Sequence, residues 1–214
     1  MMKRTILSIL FSSSVLFSFG QDKKAESILD QMSQKYQKLN TFSASFTYGV
    51  EGANSSLTQA FKGNVTVKGL KFKLKMAGQE IFNNGKEIFT YVKETNEVNI
   101  TDFNPNNDSD FSPTKIYSIY KKGYKYVFKE EQKVGSQFYE VVELSPTSAK
   151  SNVNKVQITV NKKDKTVKSW KIWDKAGKKT VFKVEDFVPN VAAADNVFTF
   201  DAKKYPGVEV VDLR

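Results

Sequence analysis

The sequence predicts an α+β protein built around a single large antiparallel sheet that curls. Three observations carry this expectation. Residues 23–39 repeat apolar side chains at helical spacing. Most of the chain from residue 42 onward alternates apolar with polar residues, and turn signals separate the alternating runs. About ten or eleven strands are expected, with one N-terminal helix and one short central helix. A sheet that wide tends to curl. Its concave face must then be filled, and the two helices are the obvious candidates.

In the first helix Ala25, Ile28, Leu29, Met32, Tyr36 and Leu39 form the apolar stripe, with Lys24, Gln31, Lys35 and Lys38 opposite. The stretch FSASFTY, residues 42–48, follows as the first strand. Phe42, Ala44, Phe46 and Tyr48 share one face, and Ser43, Ser45 and Thr47 the other. LKFKLKM, residues 70–76, sets Leu70, Phe72, Leu74 and Met76 against Lys71, Lys73 and Lys75, the pattern of a strand with one wet face. Asn83-Asn84-Gly85 marks a hairpin turn, because Asn and Gly tolerate positive φ, and residues 94–96 offer another. The polar stretch NPNNDSDFS, residues 104–112, runs into the expected central helix. Ser112 is its cap, Pro113 lies in its first turn, and Gly123 ends it. Further strands are expected near 124–131, 137–144, 154–161, 166–174 and 179–187, with short ones at 197–200 and 207–212. Turns fall at Asp164-Lys165 and Ala176-Gly177, and residues 191–195 suggest a helical turn.

The first residues carry a targeting pattern. Lys3 and Arg4 precede an apolar run, residues 6–19, and Ser18 and Gly20 put small residues where a signal peptidase cuts. A cleavable leader over residues 1–20 and one domain over 21–214 are expected, with export to the periplasm. No later stretch approaches the ~20 apolar residues of a membrane-spanning helix. The chain has no cysteine, so stability must come from a core and no lipid can be attached through one. The formal net charge is +10, of which Lys3 and Arg4 leave with the leader. Thereafter every positive charge except Arg214 is a lysine, which lacks the planar fork favoured in base and phosphate recognition. Nucleic acid is not an expected partner.

Histidine is absent, which removes the usual Ser-His and Cys-His nucleophilic arrangements and the commonest metal ligand. Asp108 and Asp110 lack the glycine and glutamate of a calcium loop, and Glu94, Glu97, Glu130 and Glu131 sit among lysines. There is no glycine-rich phosphate loop. No catalysis, metal or cofactor is expected. Instead, the chain is rich in aromatic surface, with 17 Phe and 9 Tyr. Pattern alone favours an ordinary core, and a lysine-rimmed carrier of an apolar ligand is the alternative.

The segments TFSASFT, VTVKGLKFKL, NNGKEIFTY, SPTKIYSIY, VELSP and VFTFDAKKYPGVEVVD follow one another in this order. Together they resemble the outer-membrane lipoprotein carrier family, the LolA-like proteins. TFSASFT carries that family's F-x-A-S-F-T. VTVKGLKFKL is similar to its V-K-R-P-x-x-F, and NNGKEIFTY to its D-G-K-x-x-W-x-Y hairpin. SPTKIYSIY matches the start of its central helix, VELSP its V-x-L-x-P strand, and VFTFDAKKYPGVEVVD its closing segment. The matches span residues 25–212. The resemblance implies an unclosed β-barrel with a helical lid. Such a protein shuttles lipid-modified proteins from an inner-membrane ABC lipoprotein-releasing transporter to an outer-membrane acceptor, as a monomer. It implies an acyl-binding lining of Phe46, Phe72, Leu74 and Met76 from the strands. Met32 and Tyr36 would come from the first helix, and Ile116, Tyr117 and Tyr120 from the central one. The family's arginine, which the resemblance makes a lock on the lid, is replaced by Gly69 after Lys68, so a looser lid is expected. Asn84 and Phe89 replace the hairpin's Asp and Trp. Lipid-binding proteins and envelope-stress regulators on the same fold are alternatives. The regulators carry a further domain for which the sequence shows no room, and a secreted hydrolase is disfavoured. Intact-mass analysis of the exported protein is expected to give a chain starting within a residue or two of Gln21. A membrane-bound product retaining Met1 would contradict this.

Overall fold

The computed structural model describes residues 22–52, 56–105, 112–114 and 116–214. The expected leader, Asp108, Asp110 and most of the polar stretch before Ser112 lie outside the described residues. Among the described residues one α-helix, α1 (Lys23–Gln37), leads into twelve strands. These are β1 (Thr41–Glu51), β2 (Leu57–Lys68), β3 (Lys71–Met76), β4 (Gln79–Asn83), β5 (Glu87–Val92), β6 (Glu97–Asp102), β7 (Tyr124–Val134), β8 (Gln137–Pro146), β9 (Val153–Asn161), β10 (Val167–Asp174), β11 (Lys179–Pro189) and β12 (Glu209–Asp212). They form one curled, unclosed sheet in the order β12-β6-β5-β4-β3-β2-β1-β11-β10-β9-β8-β7. The chain meanders outward from β1 to β6, crosses to the opposite edge at β7, and meanders back until β11 pairs with β1.

The turns sit where turn chemistry allows them. Gly85 (φ 92°), Asn96 (φ 51°), Lys165 (φ 59°) and Gly177 (φ 84°) all take the left-handed conformation between strands. The start of α1 is fixed by Asp22, whose Oδ1 accepts hydrogen bonds from the Lys24 and Ala25 amides at 2.9 and 3.1 Å. Its Oδ2 accepts the Phe128 amide of β7 at 2.9 Å. One carboxylate thus caps the helix and pins it to the sheet edge. The other end of α1 reaches the middle of the sheet, where the Val167 amide of β10 donates to Tyr36 Oη at 3.0 Å. Ala25, Ile28, Leu29, Met32 and Tyr36 bury their stripe against the inner face, with Val142, Leu144, Val156, Ile158 and Val160 beneath.

A second core lies on the outer face at the other side of the sheet. Phe82, Phe89, Tyr91, Val98 and Ile100 are covered there by Phe200, Tyr205 and Val208 of the segment joining β11 to β12. That crossing also explains why β12 pairs with β6 in parallel, the exception in an otherwise antiparallel sheet.

Three expectations need correction. The central helix is not formed among the described residues. Residues 113–114 and 116–118 make turns, and a three-residue 3-10 helix, Ile119–Lys121, follows. A segment so short gains little from helical bonds alone, and its aromatics are drawn into contacts with α1 instead. The strand expected at 197–200 is a 3-10 helix, Asp195–Phe198, whose Phe198 is fully buried, and residues 191–194 are not helical. Leu70 is not part of the lysine-alternating strand. It lies with Gly69 (φ 57°) in the β2–β3 turn and is exposed. The expected fold class, a single curled and unclosed antiparallel sheet, stands, with twelve strands among the described residues where about ten or eleven were expected.

Asp22→Ala is expected to lower stability by about 1–2 kcal/mol, the usual cost of losing a helix cap. The Phe128 amide, followed by those of Ala25 and Lys24, holds the Asp22 carboxyl below its ordinary value against a smaller opposing effect of burial. A depressed carboxylate stabilises above its unfolded pKa of ~3.9 and loses that contribution as pH falls through its folded value. The gap between wild type and variant in urea melts should therefore narrow on acidification below that point. A gap that stays constant would show that the charge is not what matters.

Candidate apolar ligand-binding site

Beyond the C-terminal end of α1, the inner face of the sheet is left with a hollow of about 220 Å³. Its floor is laid by residues of five strands. Phe42, Ala44 and Phe46 come from β1, Val65 from β2, and Leu74 and Met76 from β3. Val167, Trp170 and Ile172 come from β10, and Phe182, Val184 and Phe187 from β11. Tyr36, Pro113, Ile116 and Tyr117 form the roof. Every side chain in this set is aliphatic, thioether or aromatic. If sealed and empty, an apolar void of this volume would cost on the order of 5 kcal/mol at ~24 cal/mol per Å³. Such a cost is comparable to the net stability of many domains.

Tyr36 organises the roof. Its ring stacks on Tyr117 with centroids 5.3 Å apart and planes 7° from parallel. It packs edge-on with Phe42 and Phe187 at 5.4 and 5.5 Å. Burial pushes the Tyr36 phenol up to about 12, and burial also raises Tyr117. Both remain neutral under ordinary conditions, so the roof presents no charge to the hollow. The roof segment is anchored again by Tyr120, whose hydroxyl donates to Asp30 of α1. Burial, then that hydrogen bond, holds the Tyr120 phenol well above its usual range.

Of the nine residues expected to line an acyl site, Tyr36, Phe46, Leu74, Met76, Ile116 and Tyr117 meet around this hollow. Met32, Phe72 and Tyr120 do not face it; they are packed in the adjoining core, at 0, 5 and 4% exposure. The β10 and β11 contributions escaped sequence reasoning. Trp170 and Ile172 carried a readable signal, since they alternate with lysine and serine in KSWKIWD. Val184 and Phe187 did not, because residues three apart cannot share a face of a regular strand. A β-bulge brings them together: Ser45 pairs with Asp186 and Phe46 with Val184, so the extra Glu185 resets the alternation. Gly63 also escaped notice. It faces Phe46 across β1 and β2, and a Cβ there would stand 2.5 Å from the Phe46 ring. The missing side chain is what lets that ring lie over β2.

Lys68 does not reach the roof. Its ammonium donates to the Ala193 carbonyl at 3.1 Å and to Asp195 at 2.8 Å, while Lys71 donates to the other Asp195 oxygen at 2.9 Å. These two bonds, Lys68 first, hold the Asp195 carboxyl down at about 2. Gly69 itself takes a positive φ in the β2–β3 turn, and a Cβ there would meet open space among the described residues.

An unclosed, strongly curled sheet enclosing an apolar hollow under a side-chain roof defines the architectural class. The chain belongs to the family described as outer membrane lipoprotein carrier protein LolA, which matches residues 37–201. Its fold is similar to that of an uncharacterized conserved protein from Thermus thermophilus. That likeness has a TM-score of 0.60 at 13% identity, over 88% of this chain and 99% of that one. Weaker likenesses include the Mycobacterium tuberculosis lipoprotein LppX (TM-score 0.47, 9% identity, 81% of this chain and 98% of that one). Another is a LolA superfamily protein from Nitrosomonas europaea (TM-score 0.40, 14% identity, 83% and 98%). No curated protein matched the sequence.

Half-buried Leu74 at the hollow and fully buried Leu144 in the core give a direct comparison. Leu144→Ala is expected to cost ~2–5 kcal/mol, because transfer and cavity terms add. Leu74→Ala should cost nearer ~1 kcal/mol, since little new cavity is made beside existing space. Denaturant melts of the two variants decide the matter; equal losses would mean that Leu74 is packed like Leu144.

Proposed function

We propose that this protein is a periplasmic carrier that takes the acyl chains of lipid-modified proteins, or of another lipid, into the hollow and moves them from the inner to the outer membrane. An inner-membrane ABC lipoprotein-releasing transporter would load it and an outer-membrane acceptor would unload it. The observation that carries this reading is a hollow of about 220 Å³ lined by aliphatic and aromatic side chains beneath Tyr36 and the turn segment that bears Ile116 and Tyr117. The family's own description is of a carrier rather than a catalyst, and the reading extends that description to this chain.

The chemistry is transfer of hydrocarbon out of water. Each methylene seated against Trp170, Phe182 or Leu74 is worth ~0.8 kcal/mol, so a single acyl chain gains enough to be held without any polar contact. Release needs the opposite balance. The roof rests on the Tyr36–Tyr117 stack, worth roughly 0.5–1.5 kcal/mol, and the Tyr120–Asp30 hydrogen bond to a carboxylate, worth roughly 1.5–3 kcal/mol. A roof held this lightly can exchange its own contacts for those of a ligand, which is the condition for shifting between two states.

Mass spectrometry of organic extracts from protein purified out of a periplasmic fraction should show near-stoichiometric acyl species. Leu74→Glu places a carboxylate against the floor, a position tolerable in a hollow that admits water but hostile to hydrocarbon. That variant is expected to fold and to lose about tenfold or more in affinity for an environment-sensitive apolar dye. Dye binding unchanged in a folded Leu74→Glu protein, with no lipid in the extract, would overturn the reading.

A further inference from the structure

The aromatic floor does not stop where the hollow does. Phe46 and Phe182, both lining residues, lie 6.0 Å apart between ring centroids, and Phe182 stacks on Tyr48 at 5.6 Å. Tyr48 in turn lies 5.6 Å from Phe61, its cross-strand partner on β2. The tract therefore leaves the hollow along the β1–β2 hairpin. There β2 has lost its second neighbour, since β3 pairs with it only between Asn64 and Lys68. Residues 58–62 are exposed, and Phe61 shows 43% of its surface to solvent.

The two ends of the hollow also differ. At the Phe42 and Phe187 end the Tyr36 ring closes the space. Among the described residues, the rings at the other end, Phe46, Tyr48 and Phe182, meet one another and Phe61 but no aromatic ring of the roof. Tyr48 has its hydroxyl occupied, accepting from the Ala77 amide at 2.8 Å, so its ring is fixed in place and presents hydrocarbon. Among the described residues, that end of the hollow thus adjoins a pre-set aromatic ramp.

We infer that Phe182, Tyr48 and Phe61 form an exit subsite for the head-proximal methylenes of an acyl chain whose tail lies in the hollow. This rests on the carrier reading and adds an orientation to it: tail toward Tyr36, head group leaving over the β1–β2 hairpin. Continuity supports it, because from Phe46 through Phe182 and Tyr48 to Phe61 each ring centroid lies within 6.0 Å of the next. Chain length then becomes the specificity variable. Each additional seated methylene is worth about fourfold in affinity, and the ramp accounts for those beyond the capacity of the hollow.

Isothermal titration of the intact protein with octanoate, laurate and palmitate tests this. Wild type should bind progressively tighter along the series. Phe61→Ser should keep octanoate within about twofold and lose about tenfold or more for palmitate, while Phe61→Leu, still apolar, should retain most palmitate affinity. Palmitate binding unaffected by Phe61→Ser, or all three acids weakened equally, would overturn the exit subsite while leaving the hollow as a site. Failure of wild type to bind any of the three would instead sink the carrier reading and the subsite with it.

Discussion

The length of one helix governs this molecule. The fifteen residues of α1 reach about 22 Å, whereas twelve strands spaced ~4.8 Å apart make a sheet more than twice that width if laid flat. Asp22 fastens one end of the helix to β7 and Tyr36 fastens the other beside β10. The helix therefore fills the inner face from β7 to the middle of the sheet and can go no further. Curling brings the two halves together, but among the described residues the inner side of β1 to β3 meets Tyr36 at the end of α1 and the roof segment rather than a second helix. The hollow is what remains when a core is built with one helix too few.

The hollow half is stiffened from outside. Leu74 and Ile81 point inward, while Phe82 of β4 and Phe89 of β5 point outward into the second core. The chain from β11 to β12 supplies Phe200, Tyr205 and Val208 to that outer layer. The bridges from Lys68 and Lys71 to Asp195 are solvent-exposed and guide this crossing more than they stabilise it. Packing on the outer face of β4 to β6 thus offsets part of the packing forgone on the inner side of the sheet.

Much of this was legible in the sequence. Helical spacing placed α1 to within two residues, and alternation located most strands, because a sheet with one wet face must alternate. Tyr36, Phe46, Leu74 and Met76 could be placed near one another because resemblance to a known family and alternation agreed. What was hidden has identifiable causes. The β11 bulge breaks the period of two, so Val184 and Phe187 could not be seen to share a face. Residues 112–121 have helical periodicity, yet Tyr117 and Tyr120 gain more from Tyr36 and Asp30 than from a further helical turn. Phe198 and Phe200 alternate like a strand but serve burial sites in an outer crossing. Met32, Phe72 and Tyr120 carry the right chemistry for a lining, and only packing tells such residues apart from those at a void.

The connection that bears the roof leaves the sheet at Asp102 and re-enters it at Tyr124, joining strands that lie at or next to opposite margins of the open barrel. Some twenty residues have an extended reach of roughly 70 Å, more than the flattened sheet is wide. Chain length alone therefore does not tie the two margins of the sheet to each other. What holds the described part of the roof is local, the Tyr36–Tyr117 stack and the Tyr120–Asp30 hydrogen bond, and both partners of that grip sit on α1 rather than on either margin.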